Sequence, residues 1–426
     1  MMLIGAGVFF LIYLRLEPLR SPRRMLAAMR GEGARRGGVS SFRAVTLALA
    51  GTLGVGNVVG VASALRIGGA GAIFWMWVSA CIAMILKYAE VTLAVRHRRP
   101  HRRGWRGGAY YYIKDHFEGK GMTRMGATLG AIFAILILLN ALTMGGIVQV
   151  NAVAEAMEGT LHLPAWVSAC LLIILLIPFL TRGTGSIAAL TERLVPIMSV
   201  GYLLLSVAVL ILRHEAVGDA LRSIFSEAFT AEGMTGGAIG ALFSEAARAG
   251  TMRGLLSNEA GCGTAPTAHA AAETELPAAQ GVWGIFEVFV DTILLCTATA
   301  LVMLVSPVAE GEGVMAAIGA YTAVLGGWAG AFLTVAIFSF AYATLLCWMN
   351  YAGESIAFLS RRTRWKYAYA TALIACVIVG AYSTPHAVLA LTDGIVTALT
   401  ALNLLTLVAM RREVLRETEN WLGNKG

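Results

Sequence analysis

The stretch Ser41–Arg66, SFRAVTLALAGTLGVGNVVGVASALR, decides how the rest of the chain is read. It is apolar and long enough to cross a bilayer, yet its middle runs Gly51-Thr52-Leu53-Gly54-Val55-Gly56-Asn57. Glycine inside a helix costs about 1 kcal/mol relative to alanine, and an asparagine buried in lipid needs hydrogen-bond partners. The pattern predicts two half-helices, Ser41–Leu53 and Val58–Arg66, meeting at an unwound elbow near mid-membrane. Unwound backbone at that depth is tolerated only where it lines a cavity or is buried in protein. There its free N–H and C=O groups become ligands, as in transporters built on discontinuous helices. A helix merely kinked for packing is the competing reading of this segment alone.

Composition sets the environment. The 426 residues are 58% hydrophobic and 14% charged, with mean hydropathy +0.72. Soluble domains carry about 25% charged residues, so an all-α polytopic membrane protein is expected. The net charge of +8 does not point to nucleic acid, because the bases sit in short blocks between apolar segments. Cys81, Cys170, Cys262, Cys296, Cys347 and Cys376 contain no CxxC pair, which argues against both a disulfide framework and a zinc site. The opening Met2–Leu16 reads as a first membrane helix rather than a cleavable leader. It is short for a span, which leaves room for an earlier start codon.

Runs of about 20 apolar residues give about eleven transmembrane helices. They are Met2–Leu16, Ser41–Arg66, Ala72–Arg96, Met125–Met157, Leu163–Leu180, Ser186–Arg213, Gly236–Ala272, Gly281–Leu304, Trp328–Ser360, Trp365–Ala381 and Ala387–Met410. Loops 15–40, 97–124 and 361–364, the turn at Arg182 and the tail from Arg411 hold most of the Lys and Arg. Loops 158–162, 214–235, 305–327 and 382–386 are poor in them. That alternation places the N-terminus outside and the C-terminus in the cytoplasm.

With the first helix set aside, ten remain, expected as an inverted five-plus-five repeat. The segments are 1–40 (N-terminal helix and basic cytoplasmic loop), 41–213 (first repeat), 214–410 (second repeat) and 411–426 (cytoplasmic tail). The second repeat opens on Gly236–Ala272, where GAIGALFSEAARAG meets TMRGLLSNEAGCGTAPTAHAAA. Gly250, Gly254, Gly261, Gly263 and Pro266 interrupt it. Two broken helices, five segments apart and oppositely oriented, are what an inverted repeat predicts.

At the first elbow, the amides of Val55 and Gly56 lie beside a helix N-terminus, whose partial positive charge suits a carboxylate. Asn57 can donate to that carboxylate or offer its carbonyl to a cation. The carbonyls of Ala50 and Leu53 close the other half-helix, a polarity that suits a small cation. A zwitterion beside sodium satisfies both ends; mutual bonding among these groups is the structural alternative. Gln149 would accept from a substrate ammonium, or glue helices together. Ser257, Asn258 and Glu259 stand together at membrane depth, Ser257 and Asn258 as candidate substrate-binding residues. Glu259 is read first as structural, paired with Arg253 or capping at Thr264.

His269, with Glu273 one turn on, reads as a satisfied structural histidine ahead of a gate or proton site, and no metal cluster accompanies it. The Thr344 hydroxyl facing the elbow would be a hard oxygen ligand for sodium, or would back-bond to its own helix. Trp348, one turn later on the same face, would wall the pocket. Glu287 and Asp291 form a like-charge pair that water or a cation must accommodate. Arg96–Arg106, with Trp105 and Tyr110–Tyr112, reads as an interfacial segment near anionic headgroups.

These residues resemble the alanine or glycine:cation symporters, bacterial and archaeal amino-acid carriers. The similar stretches are GVGNVVGVASALRIGGAGAIFWMW (Gly54–Trp77), RGGAYYYI (Arg106–Ile113), SNEAGCGTAPTAHAAA (Ser257–Ala272), Pro277 with Gln280-Gly281, VFVDT (Val288–Thr292) and FAYAT (Phe340–Thr344). The resemblance implies sodium-driven uptake of a small neutral amino acid across a prokaryotic cell (inner) membrane. It implies no resident cofactor, sodium ahead of a proton as the co-transported ion, and the lipid bilayer as surroundings. It also implies that Gly56, Asn57, Gln149 and Trp348 face substrate and that Thr344 serves the pocket or cation site. The chain departs from the pattern at Ala343, where Ser or Thr is usual, at Ala70 for Pro and at Leu276 for His. The tract from Trp348 to Gly353-Glu354 is one residue longer. An intramembrane enzyme using Glu259, His269 or Asp291 is the alternative; it lacks a nucleophile–base pair at local spacing. A passive channel and a purely structural subunit rank behind it.

Overall fold

The computed structural model describes residues 2–423 apart from 21, 31–38, 102–103, 181–182, 230–243, 308–312, 361 and 384. The basic turn at Arg182 and the part of the second broken segment before Ser244 lie outside the described residues. The chain is almost entirely helical. In order it runs α1 (Met2–Tyr13), α2 (Ser41–Thr52), α3 (Gly56–Gly68), α4 (Gly71–Arg96) and α5 (Ala109–Glu118). Then come α6 (Thr123–Leu161), α7 (Ala165–Phe179), α8 (Thr184–Leu212), α9 (His214–Glu227), α10 (Glu245–Asn258) and α11 (Pro266–His269). The last are α12 (Pro277–Val305), α13 (Gly313–Leu325), α14 (Gly327–Leu359), α15 (Arg364–Ala381), α16 (Pro385–Ala409) and α17 (Arg411–Gly423).

Among the described residues six helices are long and apolar enough to cross a membrane, or seven if the bent pair α2–α3 counts as one span. α1, α7 and α13 are apolar but shorter. The fold is thus all-α with several membrane-crossing helices, as composition predicts.

The elbow is present. Ser40 caps α2 by accepting from the Arg43 amide at 3.2 Å. The helix ends when Leu53 turns to ψ 63°, and α3 leaves at an angle of 52°. The second half begins at Gly56, not Val58, as a wide π-type turn over Gly56–Gly60. Similar wide turns interrupt α6 at Thr143–Val148 and α12 at Phe289–Cys296. Such turns are rare and recur at functional positions.

The second break falls at Gly261 and Gly263, two of the expected interruptions, and not at Gly250 or Gly254. α10 runs unbroken through Gly250 and Gly254, because these glycines serve packing. A Cβ at 250 would lie 2.2 Å from the Ala72 carbonyl oxygen, and one at 254 would lie 2.8 Å from Ser79 Oγ. The chain breaks at Glu259–Thr264 instead, where Glu259 (φ 51°), Gly261 (φ 87°) and Gly263 (φ 73°) take left-handed conformations. Beyond it α11 is a single turn, far shorter than a half-span.

The expected loops also hold helices: Glu17–Arg20 and Pro22–Arg30 in 15–40, α5 in 97–124, α9 in 214–235 and α13 in 305–327. Glu227, the last residue of α9, accepts from the Ala70 amide at 2.8 Å.

The basic segment after α4 forms a hairpin, β1 (Arg99–His101) with β2 (Gly104–Arg106). Several of its charges find partners within the protein. Arg99 reaches Asp115 at 2.6 Å and Arg106 reaches Glu354 at 3.1 Å. Arg98 stacks over Trp105 at 4.2 Å. The same guanidinium donates to the carbonyls of Ala272 and Thr274, capping the end of the second broken segment. His97 sits between Asp115 at 2.8 Å and Glu413 at 3.0 Å. Burial works against its charge, but the two carboxylates prevail and raise it to about 9.

Candidate functional site

The elbow is closed over by four other helices. Gly54 is the tightest point: a Cβ there would meet Gln149 Oε1 at 2.7 Å and Thr344 Oγ1 at 2.9 Å. Only glycine lets both polar side chains reach the unwound backbone. Gln149 Oε1 accepts from the Val55 amide at 3.1 Å, while its Nε2 donates to the Met144 carbonyl at 3.1 Å. The wide turn of α6 brings this glutamine to the elbow. The Val55 amide is therefore occupied rather than free, which corrects the expectation.

The Thr344 hydroxyl faces the elbow and also back-bonds to its own helix. It lies 2.9 Å from the Ala50 carbonyl and 2.9 Å from that of Phe340. Ala50 thus stands beside Thr344, and Leu53 marks the buried end of α2. Trp348, one turn further, lies against the α6 turn, where a Cβ on Gly145 would come within 2.2 Å of its Cγ. Its indole Nε1 is buried without a hydrogen-bond partner among the described residues.

On the other side of the elbow stands a carboxylate. Asn57 Nδ2 donates to Asp291 Oδ1 at 2.7 Å and lies 3.1 Å from Ser257 Oγ. Ser257 and Thr292 both donate to Asp291 Oδ2 at 2.8 Å, and Asn258 Nδ2 donates to Thr292 at 3.1 Å. Asn57 Oδ1 is left buried without a partner among the described residues. Gly56 approaches the end of α10, its Cβ direction 3.7 Å from Ser257 Cα, and remains partly exposed. Around residues 54–57, then, gather Gln149, Thr344, Ser257 and Asp291, drawn from four further helices.

The structural readings of His269 and Glu259 hold, and the acidic residues around them divide between two places. Glu287 and Asp291 bond to different partners. Glu287 bonds to Lys87 at 3.4 Å and His269 at 2.9 Å, while Asp291 faces the elbow. His269 pairs with Glu287 and Gln280, and Glu259 accepts from Thr264 at 2.5 Å. Glu259, His269 and Asp291 bond to separate partners, and no catalytic grouping forms among them. Sequence reasoning did not bring Asp291 to the elbow, nor Thr292 with it, and passed over Lys87, the partner of Glu287. An acidic residue inside an apolar helix was the available signal. The wide turn that aims it carried none.

The whole chain, residues 1–425, matches the model of the sodium:alanine symporter family. The chain belongs to the sodium:alanine symporter family. Among its relatives are the amino-acid carrier protein AlsT of Bacillus subtilis, 34% identical across 96% of this chain and 86% of that one. The sodium/alanine symporter AgcS of Methanococcus maripaludis is 32% identical across 98% of this chain and 92% of that one. In fold, a solved Na+-coupled sialic acid symporter superposes with TM-score 0.55 at 11% identity, covering 96% of this chain and 82% of that one. Membership in the sodium:alanine symporter family makes this a multi-pass membrane protein of amino-acid symport, and the family is one of carriers rather than enzymes.

Proposed function

We propose that the protein imports a small neutral amino acid, alanine or glycine, together with sodium by alternating access. The observation that carries this reading is the elbow at Gly54–Asn57, enclosed by Gln149, Thr344, Ser257 and Asp291. The substrate carboxylate would lie against the amides of Val55 and Gly56 once Gln149 yields the first of them, with Asn57 and Asn258 orienting it. The Asp291 carboxylate would supply the counter-charge for the positive group of the cargo. Sodium would be held by the carbonyls of Ala50 and Leu53 and the hydroxyl of Thr344. Trp348 packs against the backbone at Gly145 and the Gly54 backbone touches two side chains, close packing that supports a cargo with a small side chain.

In this reading the chain crosses the membrane eleven times, as one extra helix and an inverted pair of five-helix repeats (41–213 and 214–410). The N-terminus is outside and the C-terminus in the cytoplasm, in the cell (inner) membrane of a prokaryote. One charge crossing 100 mV contributes about 2.3 kcal/mol, to which the sodium concentration gradient adds. Labelled alanine uptake into proteoliposomes under an inward sodium gradient tests the proposal. Accumulation should collapse when choline replaces sodium. Undiminished uptake in choline that follows pH instead would reject sodium as the driving ion.

A further inference from the structure

A second buried polar network lies at the other break, and the transport reading leaves it unused. Lys87 on α4 packs against α12 where Gly284 makes room for its stem: a Cβ on Gly284 would stand 3.0 Å from Lys87 Cγ. Its Nζ meets Glu287 Oε1 at 3.4 Å. Glu287 Oε2 meets His269 Nε2 at 2.9 Å, and His269 Nδ1 meets the Gln280 amide at 2.9 Å. Lys87, His269, Gln280 and Glu287 are all fully buried.

Two further carboxyls flank the lysine. Glu90 accepts from the Gly263 amide at 3.0 Å and from Asn403, and Glu259 accepts from Thr264. Each keeps one oxygen buried without a partner among the described residues. Cys262 stands near Lys87, while Asp291 and the Cys347 and Tyr351 side chains of α14 face Glu287.

The charge balance of this network is unequal. One lysine faces three glutamates, so with all of them ionised and His269 neutral two negative charges are left uncompensated in a dry interior. Such a site lowers its energy by binding positive charge. The described residues contain no group of three His, Cys, Asp or Glu able to hold a metal ion, and Lys87 already fills the cationic position. A proton suits the geometry. Gln280 can present either its NH2 or its C=O to the imidazole by turning the terminal amide, and Gln280 Oε1 has no partner among the described residues. With the NH2 inward, Nδ1 is an acceptor and His269 is neutral. With the C=O inward, Nδ1–H donates to Gln280 and Nε2–H still donates to Glu287.

We propose that this network is a proton-binding site separate from the elbow, with the proton held on Nδ1 of His269. Its occupancy is tied to transport because Glu259 and Gly263 belong to the second break and His269 ends α11, the single turn that follows it. The inference rests on the transport reading above. The proton comes from water, adds to Nδ1 without displacing the Nε2 hydrogen, and leaves by the same nitrogen.

The test uses purified full-length protein. Sodium-dependent alanine binding is measured across the range where imidazole titrates, in buffers of different ionisation enthalpy, so that protons taken up or released on binding are counted. Wild type should exchange protons on binding over part of that range. His269→Gln should still bind alanine with sodium but lose the proton exchange and the pH dependence. Wild-type binding that is sodium-dependent yet moves no proton at any pH overturns the proton site alone, and this arm needs no variant to fold. A His269→Gln profile superimposable on wild type also overturns it. Absence of sodium-dependent binding in wild type rejects the symport reading instead.

Discussion

Asn57 Nδ2 stands 2.7 Å from Asp291 Oδ1, joining the elbow of one broken helix to the wide turn of another. A carboxylate buried in a membrane protein needs such donors. Any cargo entering here must compete with Asn57 for that oxygen or bind beside it.

Asn57→Ala removes this donor and the side chain that would orient substrate. Hydrogen bonds to a charged group are worth about 1.5–3 kcal/mol, so sodium-dependent alanine affinity should fall by about 10- to 100-fold. Equilibrium binding to monodisperse purified protein measures this. Unchanged affinity would place substrate elsewhere.

Gly54→Ala should be more damaging than its size suggests. The new methyl would overlap Gln149 Oε1 and Thr344 Oγ1 at 2.7 and 2.9 Å. Overpacking costs about 1–3 kcal/mol, concentrated here where both side chains meet the elbow. Initial uptake should drop about tenfold or more. Gly5→Ala, where a Cβ meets nothing within 4 Å, should transport like wild type. Equal uptake by the two variants would remove the elbow from the mechanism.

Thr344→Ala deletes the only hydroxyl at this pair of positions, because Ala343 precedes it. The sodium concentration for half-maximal uptake should rise about tenfold, with alanine affinity at saturating sodium little changed. Thr344→Ser should restore most of the loss. A variant in which sodium dependence stays constant while alanine affinity falls would move Thr344 from the ion to the substrate.

His97 predicts an alkaline weakness. Its value is raised from 6.5 to about 9 by Asp115 and Glu413, against the cost of burial. A raised folded-state value stabilises fully below about 6.5, and that stabilisation is lost as pH rises through about 9. The contribution is on the order of 2 kcal/mol. The melting temperature of detergent-solubilised protein should therefore fall between neutral pH and about pH 10. His97→Gln should start lower and show a flatter profile. Parallel profiles for the two proteins would mean that His97 is not the group responsible.

Much of this was legible in the sequence, for identifiable reasons. The run Gly51–Asn57 announced a break because glycine and asparagine act locally. Gln149, Ser257 and Thr344 stood out as polar residues in apolar surroundings, and the structure brings all three to the elbow. Gly250 and Gly254 misled because a glycine that admits a neighbouring backbone looks the same as one that ends a helix. The actual break hinges on Glu259 in a left-handed conformation, which few non-glycine residues adopt. The wide turns at Thr143–Val148 and Phe289–Cys296 were invisible, since one extra residue in a helical turn changes the aim of Gln149 and Asp291 without changing hydropathy.

The small residues that set α10 against α4 have a mechanical consequence. Gly68 comes within contact of Ala246, and Gly250 rests directly on the Ala72 carbonyl. No side chain lies between these backbones to slide or swivel, so α3, α4 and α10 should travel as one rigid lever. A covalent tether joining α4 to α10 should leave turnover intact, whereas a tether from α2 to α14 across the hinge should arrest it.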